Sequence, residues 1–132
     1  MNEDGSFSMD LIDQTLIIKP VGAWNLETAV RWGDEFKSYV TIIQDKAWAC
    51  LVDLSKFDLA TPDVWEHIND VNQWSNLRNQ KYEVVVCNLR IQEKLMENSH
   101  KSLWNVETKF FESFDEACLW LKSVGYIDYQ VD

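Results

Sequence analysis

Basic residues are scarce in this chain. Its 132 residues carry twelve Lys and Arg against twenty-two Asp and Glu, a formal charge of −10. A surface that acidic repels phosphate backbones and anionic lipid headgroups, so neither nucleic acid nor an acidic membrane is an expected partner. Long apolar runs are missing too: the longest is Ala47 to Val52, six residues, against the roughly 20 that span a bilayer. Met1-Asn2-Glu3-Asp4 is acidic with no apolar stretch behind it, which is not the pattern of a secretory signal. The expected compartment is the cytoplasm. Only four Gly and two Pro occur, so few breakers interrupt the elements and no linker stands out. Three cysteines, Cys50, Cys87 and Cys118, form no CxxC pair, and their odd number argues against a disulfide framework. Each falls in an apolar pattern, as buried structural thiols do. The two histidines, His67 and His100, are too few and too scattered for a zinc signature. Gly-x-Gly-x-x-Gly, G-x-x-x-x-G-K-[ST], G-x-S-x-G and H-E-x-x-H are all absent. The expectation is a protein that is not an enzyme and needs no cofactor or metal.

What is present is a foldable pattern. Hydrophobic residues make up 46% and charged residues 26%, enough apolar surface for one core and too short a chain for two, so residues 1–132 read as a single domain with 1–5 frayed. Ser6 to Ile12 alternates like a half-exposed strand, and Gln14 to Pro20 reads as its antiparallel partner across a turn at Asp13-Gln14. Asn25 has the character of a helix N-cap, with Glu27 in the first turn. Leu26, Ala29, Val30, Gly33, Phe36, Val40 and Ile43 recur at three- and four-residue steps, which predicts one buried helix face with Trp32 and Tyr39 at its margin.

Trp48 to Leu54 and Tyr82 to Cys87 are apolar runs without alternation, the pattern of strands covered on both faces. Between them, Thr61-Pro62 marks a helix start, with Val64, Ile68, Val71 and Ser75 as the inner stripe and Trp65 and Trp74 flanking it. A weaker helix is predicted from Arg90 to Leu103 and a last strand from Val106 to Phe111. Ser113 and Glu116 have capping-box spacing ahead of a stripe of Phe114, Ala117, Cys118, Leu121 and Val124, which Gly125 terminates. The order β-β-α-β-α-β-α-β-α predicts an α/β fold: a mixed, mainly parallel sheet with an N-terminal hairpin and about four helices.

Three stretches carry a family resemblance: Val21-Gly22-Ala23-Trp24-Asn25 before the first helix, Leu51-Val52-Asp53-Leu54-Ser55 followed by Thr61-Pro62, and Phe114-Asp115-Glu116-Ala117 with Trp120-Leu121. In this order they make the chain, from about Phe7 to Gly125, similar to the STAS-like (SpoIIAA-like) family, related in fold to anti-sigma-factor antagonists. The resemblance implies a mixed sheet with helices, no cofactor, and action through protein contacts or small-ligand binding. Phosphorylated antagonists of this fold have an Asp-Ser-Ser-Gly-type stretch before the second helix. Here that stretch reads Ala60-Thr61-Pro62-Asp63, without a serine pair or glycine, so the phospho-switch cannot simply be carried over.

Three sets of residues could carry function. Asp58, Thr61, Asp63, Trp65, Glu66 and Trp74 would form a partner-binding surface, acidic and partly aromatic, suited to a basic, partly apolar protein. Thr61 doubles there as a weak phosphorylation candidate at a helix start; a plain N-cap is the preferred reading, since it explains both Thr61 and the proline that follows. Second, the chain holds seven tryptophans, and Trp24, Trp32 and Trp120 with Phe36 would wall a pocket for a small apolar, lipid-like ligand. Wide spacers at the edges of a helix–sheet core are the alternative use of such side chains. Third, Asp53, Asp58, Asp63, Glu66, His67 and Asp70 are the densest ionisable cluster, compatible with an oxygen-rich metal site or a histidine base but equally with a solvated helix face. The leading expectation is a non-enzymatic regulatory module that binds a protein, in bacterial-type signalling; the alternative is an apolar-ligand binder. Unpaired edge strands also offer a homodimer interface.

Overall fold

The structure, a computed structural model, describes residues 5–91 and 106–128, and of Leu59 the backbone alone. Two strands open it, β1 (Ser6–Ile12) and β2 (Thr15–Trp24), joined by a tight turn in which Asp13 takes a left-handed φ of 54°. They pair antiparallel from Ser6↔Val21 to Ile12↔Thr15. Helix α1 (Leu26–Ile43) follows, capped by Asn25, whose Oδ1 accepts from the Thr28 N–H at 2.9 Å. Strands β3 (Trp48–Asp53) and β4 (Phe57–Ala60) come next, then helix α2 (Pro62–Asn76) and strand β5 (Gln80–Val86). A helix opens at residues 89–91, where the Asn88 side chain accepts from the Ile91 N–H. The rest of the helix expected from Arg90 to Leu103, like His100, lies outside the described residues. Strand β6 (Glu107–Phe111) and helix α3 (Phe114–Ser123) close the fold; the Ser113 hydroxyl accepts from the Glu116 N–H, and Gly125 supplies the left-handed stop at φ 87°.

The sheet runs β1-β2-β3-β5-β6, parallel throughout except for the opening hairpin. Strand alternation divides its side chains between two layers. Leu16, Ile18 and Cys50 face α1 and α2, packing with Trp32, Phe36, Val40, Val64 and Val71. Ile17, Ala49, Leu51, Val84 and Val86 face α3, packing with Ala117, Cys118 and Leu121. All three cysteines are buried and reduced.

Three features depart from the expected pattern. Strand β4 is additional, and it pairs with the far end of β2 through Gly22↔Phe57 and Trp24↔Ala60. The buried face of α1 is turned: Trp32 is in the core at 6% exposure, while Leu26 and Val30 are exposed at 43% and 39%. Finally, Gly5 is not frayed; it is buried against the backbone of Ala23 and the indole of Trp24.

Candidate ligand-binding site

β2 is shared lengthwise between two partners. Its first half pairs with β3 as far as Ile18↔Val52, and its second half takes up β4 from Gly22↔Phe57 onward. Pro20, which has no N–H to give a ladder, sits at the handover. Beyond Val52, β3 keeps pairing with β5 and turns away at Leu54, whose N–H bonds to the Val86 carbonyl at 2.8 Å. The side chains of β2 and β3 therefore stop closing on each other under α1 and α2.

A cavity of about 310 Å³ fills that space. Its floor is the helix-facing side of the sheet: Ile18 and Pro20 from β2, Cys50 and Val52 from β3, Glu83 and Val85 from β5, Thr108 and Phe110 from β6. Trp24, Trp32, Phe36 and Phe57 stand on one side, and Trp65, Ile68 and Asn72 of α2 on the other. Thr108 is exposed and so belongs to the rim. The volume lies at the lower end of the range of small-molecule pockets.

The aromatic wall is a connected set of ring contacts. Trp24 lies 6.0 Å from Trp32 and 6.0 Å from Phe57; Trp32 stacks on Phe36 at 5.3 Å; Phe57 meets Trp65 edge-on at 6.2 Å. The Trp24 indole N–H is tied to the Ser6 carbonyl at 3.1 Å, which fixes that ring. Each such pair contributes about 0.5–1.5 kcal/mol beyond its buried area, so the wall is stiff without a ligand.

Polar groups in the lining are few: Cys50, Asn72, Glu83 and Thr108. Glu83 is half-buried and borders the cavity. It ends a hydrogen-bond chain through the core. The Ser75 hydroxyl bonds to Gln80 Oε1 at 2.8 Å, which orients the Gln80 amide so that its Nε2 donates to Glu83 Oε1 at 2.8 Å. The Cys50 thiol lies beside Glu83 and, like Gln80, favours its ionised form. Desolvation outweighs both and pushes the Glu83 carboxyl up from 4.5 to about 7. Burial and the neighbouring Glu83 in turn hold the Cys50 thiol well above its ordinary value, so Cys50 is no ready nucleophile.

Of the four aromatics expected to wall a pocket, Trp24, Trp32 and Phe36 meet at this cavity. Trp120 does not: it packs on the opposite face of the sheet against Tyr82 and Phe111. Trp65, expected on the partner surface, lines the cavity, and only part of it reaches solvent. Trp74 is also half-buried, with the Arg78 guanidinium 4.0 Å and the Lys37 ammonium 5.4 Å from its ring. Neither indole is the bare anchor that the sequence suggested. Asp58, Thr61, Asp63 and Glu66 are exposed around the start of α2. Thr61 occupies the N-cap position without capping a backbone N–H; its hydroxyl donates to Asp63 instead, and that bond lowers the Asp63 carboxyl.

The ionisable cluster does not converge on one point. Asp53 accepts from the Ser55 N–H in the turn after β3, and His67 is pressed against Gly33 where α1 and α2 approach closely. Among the described residues no group of three or more His, Cys, Asp or Glu is arranged to hold a metal ion, and no helix is long and apolar enough to cross a membrane. Glu83 and Phe57 were missed from sequence. For Glu83 a signal existed: a lone carboxylate within an apolar run that should be covered on both faces.

No protein-family model matches the chain, and no curated protein matches it. Solved structures do. An uncharacterized protein from Shewanella loihica PV-4, of the DUF3478 family and described as having a SpoIIAA-like fold, superposes with a TM-score of 0.70 at 18% identity, over 92% of this chain and 98% of that one. An anti-sigma factor antagonist from Mycobacterium paratuberculosis gives 0.60 at 12% identity, over 89% and 94%. The anti-sigma factor antagonist SpoIIAA in its unphosphorylated form gives 0.65 at 6% identity, over 91% and 99%. At these identities the likeness speaks to architecture, and it bears out the resemblance and fold class read from the sequence: the chain has the SpoIIAA-like fold.

Proposed function

We propose that the protein is a non-enzymatic binding module whose site is the cavity between the sheet and helices α1 and α2, and that it takes a small, mainly apolar molecule. The observation that carries this reading is the cavity itself: about 310 Å³ walled by Trp24, Trp32, Phe36, Phe57 and Trp65. An apolar guest gains by leaving water, and a wall already fixed by its own ring contacts loses little entropy on closing round it. Titration with 1-decanol, followed by intrinsic tryptophan fluorescence, tests the proposal, because three indoles border the space. Saturable change in the wild type, absent in Thr108→Trp where a bulky ring blocks the rim, is the expected result. A flat titration, or equal binding by the blocked variant, would count decisively against it.

A second reading, a regulatory module that binds a protein, is supported by the likeness in fold to two proteins described as anti-sigma factor antagonists. The exposed acids Asp58, Asp63 and Glu66 near the start of α2 favour a basic partner. Trp65 and Trp74 contribute to that surface only by their outer edges, and Thr61 is exposed enough to be modified. Affinity capture with wild type and with Asp63→Lys/Glu66→Lys discriminates: the surface is supported by a protein retained by the first and released by the second. Equal retention by both removes it.

A further inference from the structure

The apolar wall says that a guest is greasy; the polar atoms on the floor say which end it carries. Among the described residues that line the cavity there is no Lys, Arg or His, and Glu83 is the only acid. A guest with an anionic head would therefore meet an acidic neighbour and no counter-charge, in a protein whose formal charge is already −10. Above about pH 7, where Glu83 is ionised, its carboxylate is acceptor-only and offers about four acceptor sites. Gln80 donates to one of its oxygens, Oε1, which leaves acceptor capacity on a side chain that lines the cavity. The Gln80 amide cannot swing round to serve a ligand as donor, since Ser75 holds its oxygen and Glu83 and the Tyr82 carbonyl hold its nitrogen. The other polar lining side chains are the Cys50 thiol beside Glu83, Asn72 on the α2 side and Thr108 at the rim, so Glu83 is the charged group on the floor. A few placed polar groups on a mainly apolar surface are how such pockets select a head group.

We propose that Glu83 is the polar anchor of the cavity and that the ligand class is an apolar chain or ring ending in a hydrogen-bond donor, a hydroxyl or an amine, and not a carboxylate. This rests on the cavity being a ligand site, as argued above. The Glu83 oxygen accepts from the ligand's O–H or N–H, and the aromatic wall holds the remainder.

Four probes of equal chain length separate the two claims: 1-decanol, decylamine, 2-decanone and decanoate, each titrated at pH 8 with tryptophan fluorescence as readout. The anchor predicts that the alcohol and the amine bind at least tenfold more tightly than the ketone, which can only accept, and than the carboxylate. It further predicts that the alcohol-to-ketone ratio falls to within about twofold of unity in Glu83→Gln. Should that variant fold poorly, Glu83→Met, of similar volume, gives the same comparison, because each ratio is taken within one protein. If the ketone or decanoate binds as tightly as the alcohol in the wild type, or the ratio survives both substitutions, the anchor is overturned while the cavity stands. If none of the four binds, the cavity reading falls with it.

Discussion

Glu83 is where a single residue sets a property of the whole chain. Folding carries its carboxyl into surroundings that favour the protonated form, raising it from 4.5 to about 7. Between those values the folded chain holds a proton that the unfolded chain has released, so stability falls as pH rises through that window. Above about 7 the full cost is present, on the order of 3 kcal/mol. Urea denaturation of wild type and Glu83→Gln from pH 4.5 to pH 8 is the check. The variant's stability relative to wild type is expected to rise with pH across that interval, and parallel curves would deny that the carboxyl is buried. Gly5 is a second such residue. A Cβ there would stand 2.5 Å from the Ala23 carbonyl oxygen and 2.5 Å from Trp24 Cδ1, closer than atoms tolerate, and the first of these is backbone. Gly5→Ala should therefore cost about 1–3 kcal/mol and shift Trp24, seen as a change in the emission maximum. An unchanged urea midpoint would count against so close an approach of Gly5 to Ala23 and Trp24.

Elements are legible in the sequence where local chemistry decides them. The hairpin turn, the Asn25 cap, the Ser113 cap and the Gly125 stop each depend on a few adjacent residues; Gly125, for instance, ends α3 because left-handed backbone favours glycine. Features that escape such a reading depend on contacts distant in sequence. Phe57-Asp58-Leu59-Ala60 looks like loop between Lys56 and Thr61-Pro62, and it is a strand only because the far end of β2 is free to receive it. On α1, Ala29, Gly33, Phe36 and Val40 are compatible with two neighbouring stripes, one including Leu26 and Val30 and the other Thr28 and Trp32. The sheet below chooses the second, because Trp24 at the end of β2 offers Trp32 a ring contact that Val30 could not use. The two helix starts give a further contrast. Asn25 accepts from both the N–H and the hydroxyl of Thr28, at 2.9 and 3.0 Å, so Asn25→Ala should cost about 1–2 kcal/mol. Thr61 caps no backbone group, so Thr61→Ala should cost less than about 0.5 kcal/mol. Equal losses in urea midpoint would mean that cap geometry does not decide the stability of these helices.

At the scale of the molecule the fold and the site come from the same arrangement: a sheet whose second strand serves two partners in succession, leaving a gap that rigid aromatic rings border and do not fill. A solid core there would be more stable, since empty apolar volume forfeits contacts on every lining atom. The fold carries that deficit, and a ligand of the right shape would restore it. Saturation at about a hundredfold over Kd stabilises a one-site protein by roughly 2.7 kcal/mol, which in a domain of this size raises Tm by roughly 10 °C. Thermal unfolding with increasing 1-decanol should show that rise in the wild type. Thr108→Trp should respond far less, and because its new ring occupies part of the gap, its Tm without ligand should be no lower than the wild type's. A wild type that decanol only destabilises, as a mild denaturant would, is the outcome incompatible with a gap built to be filled.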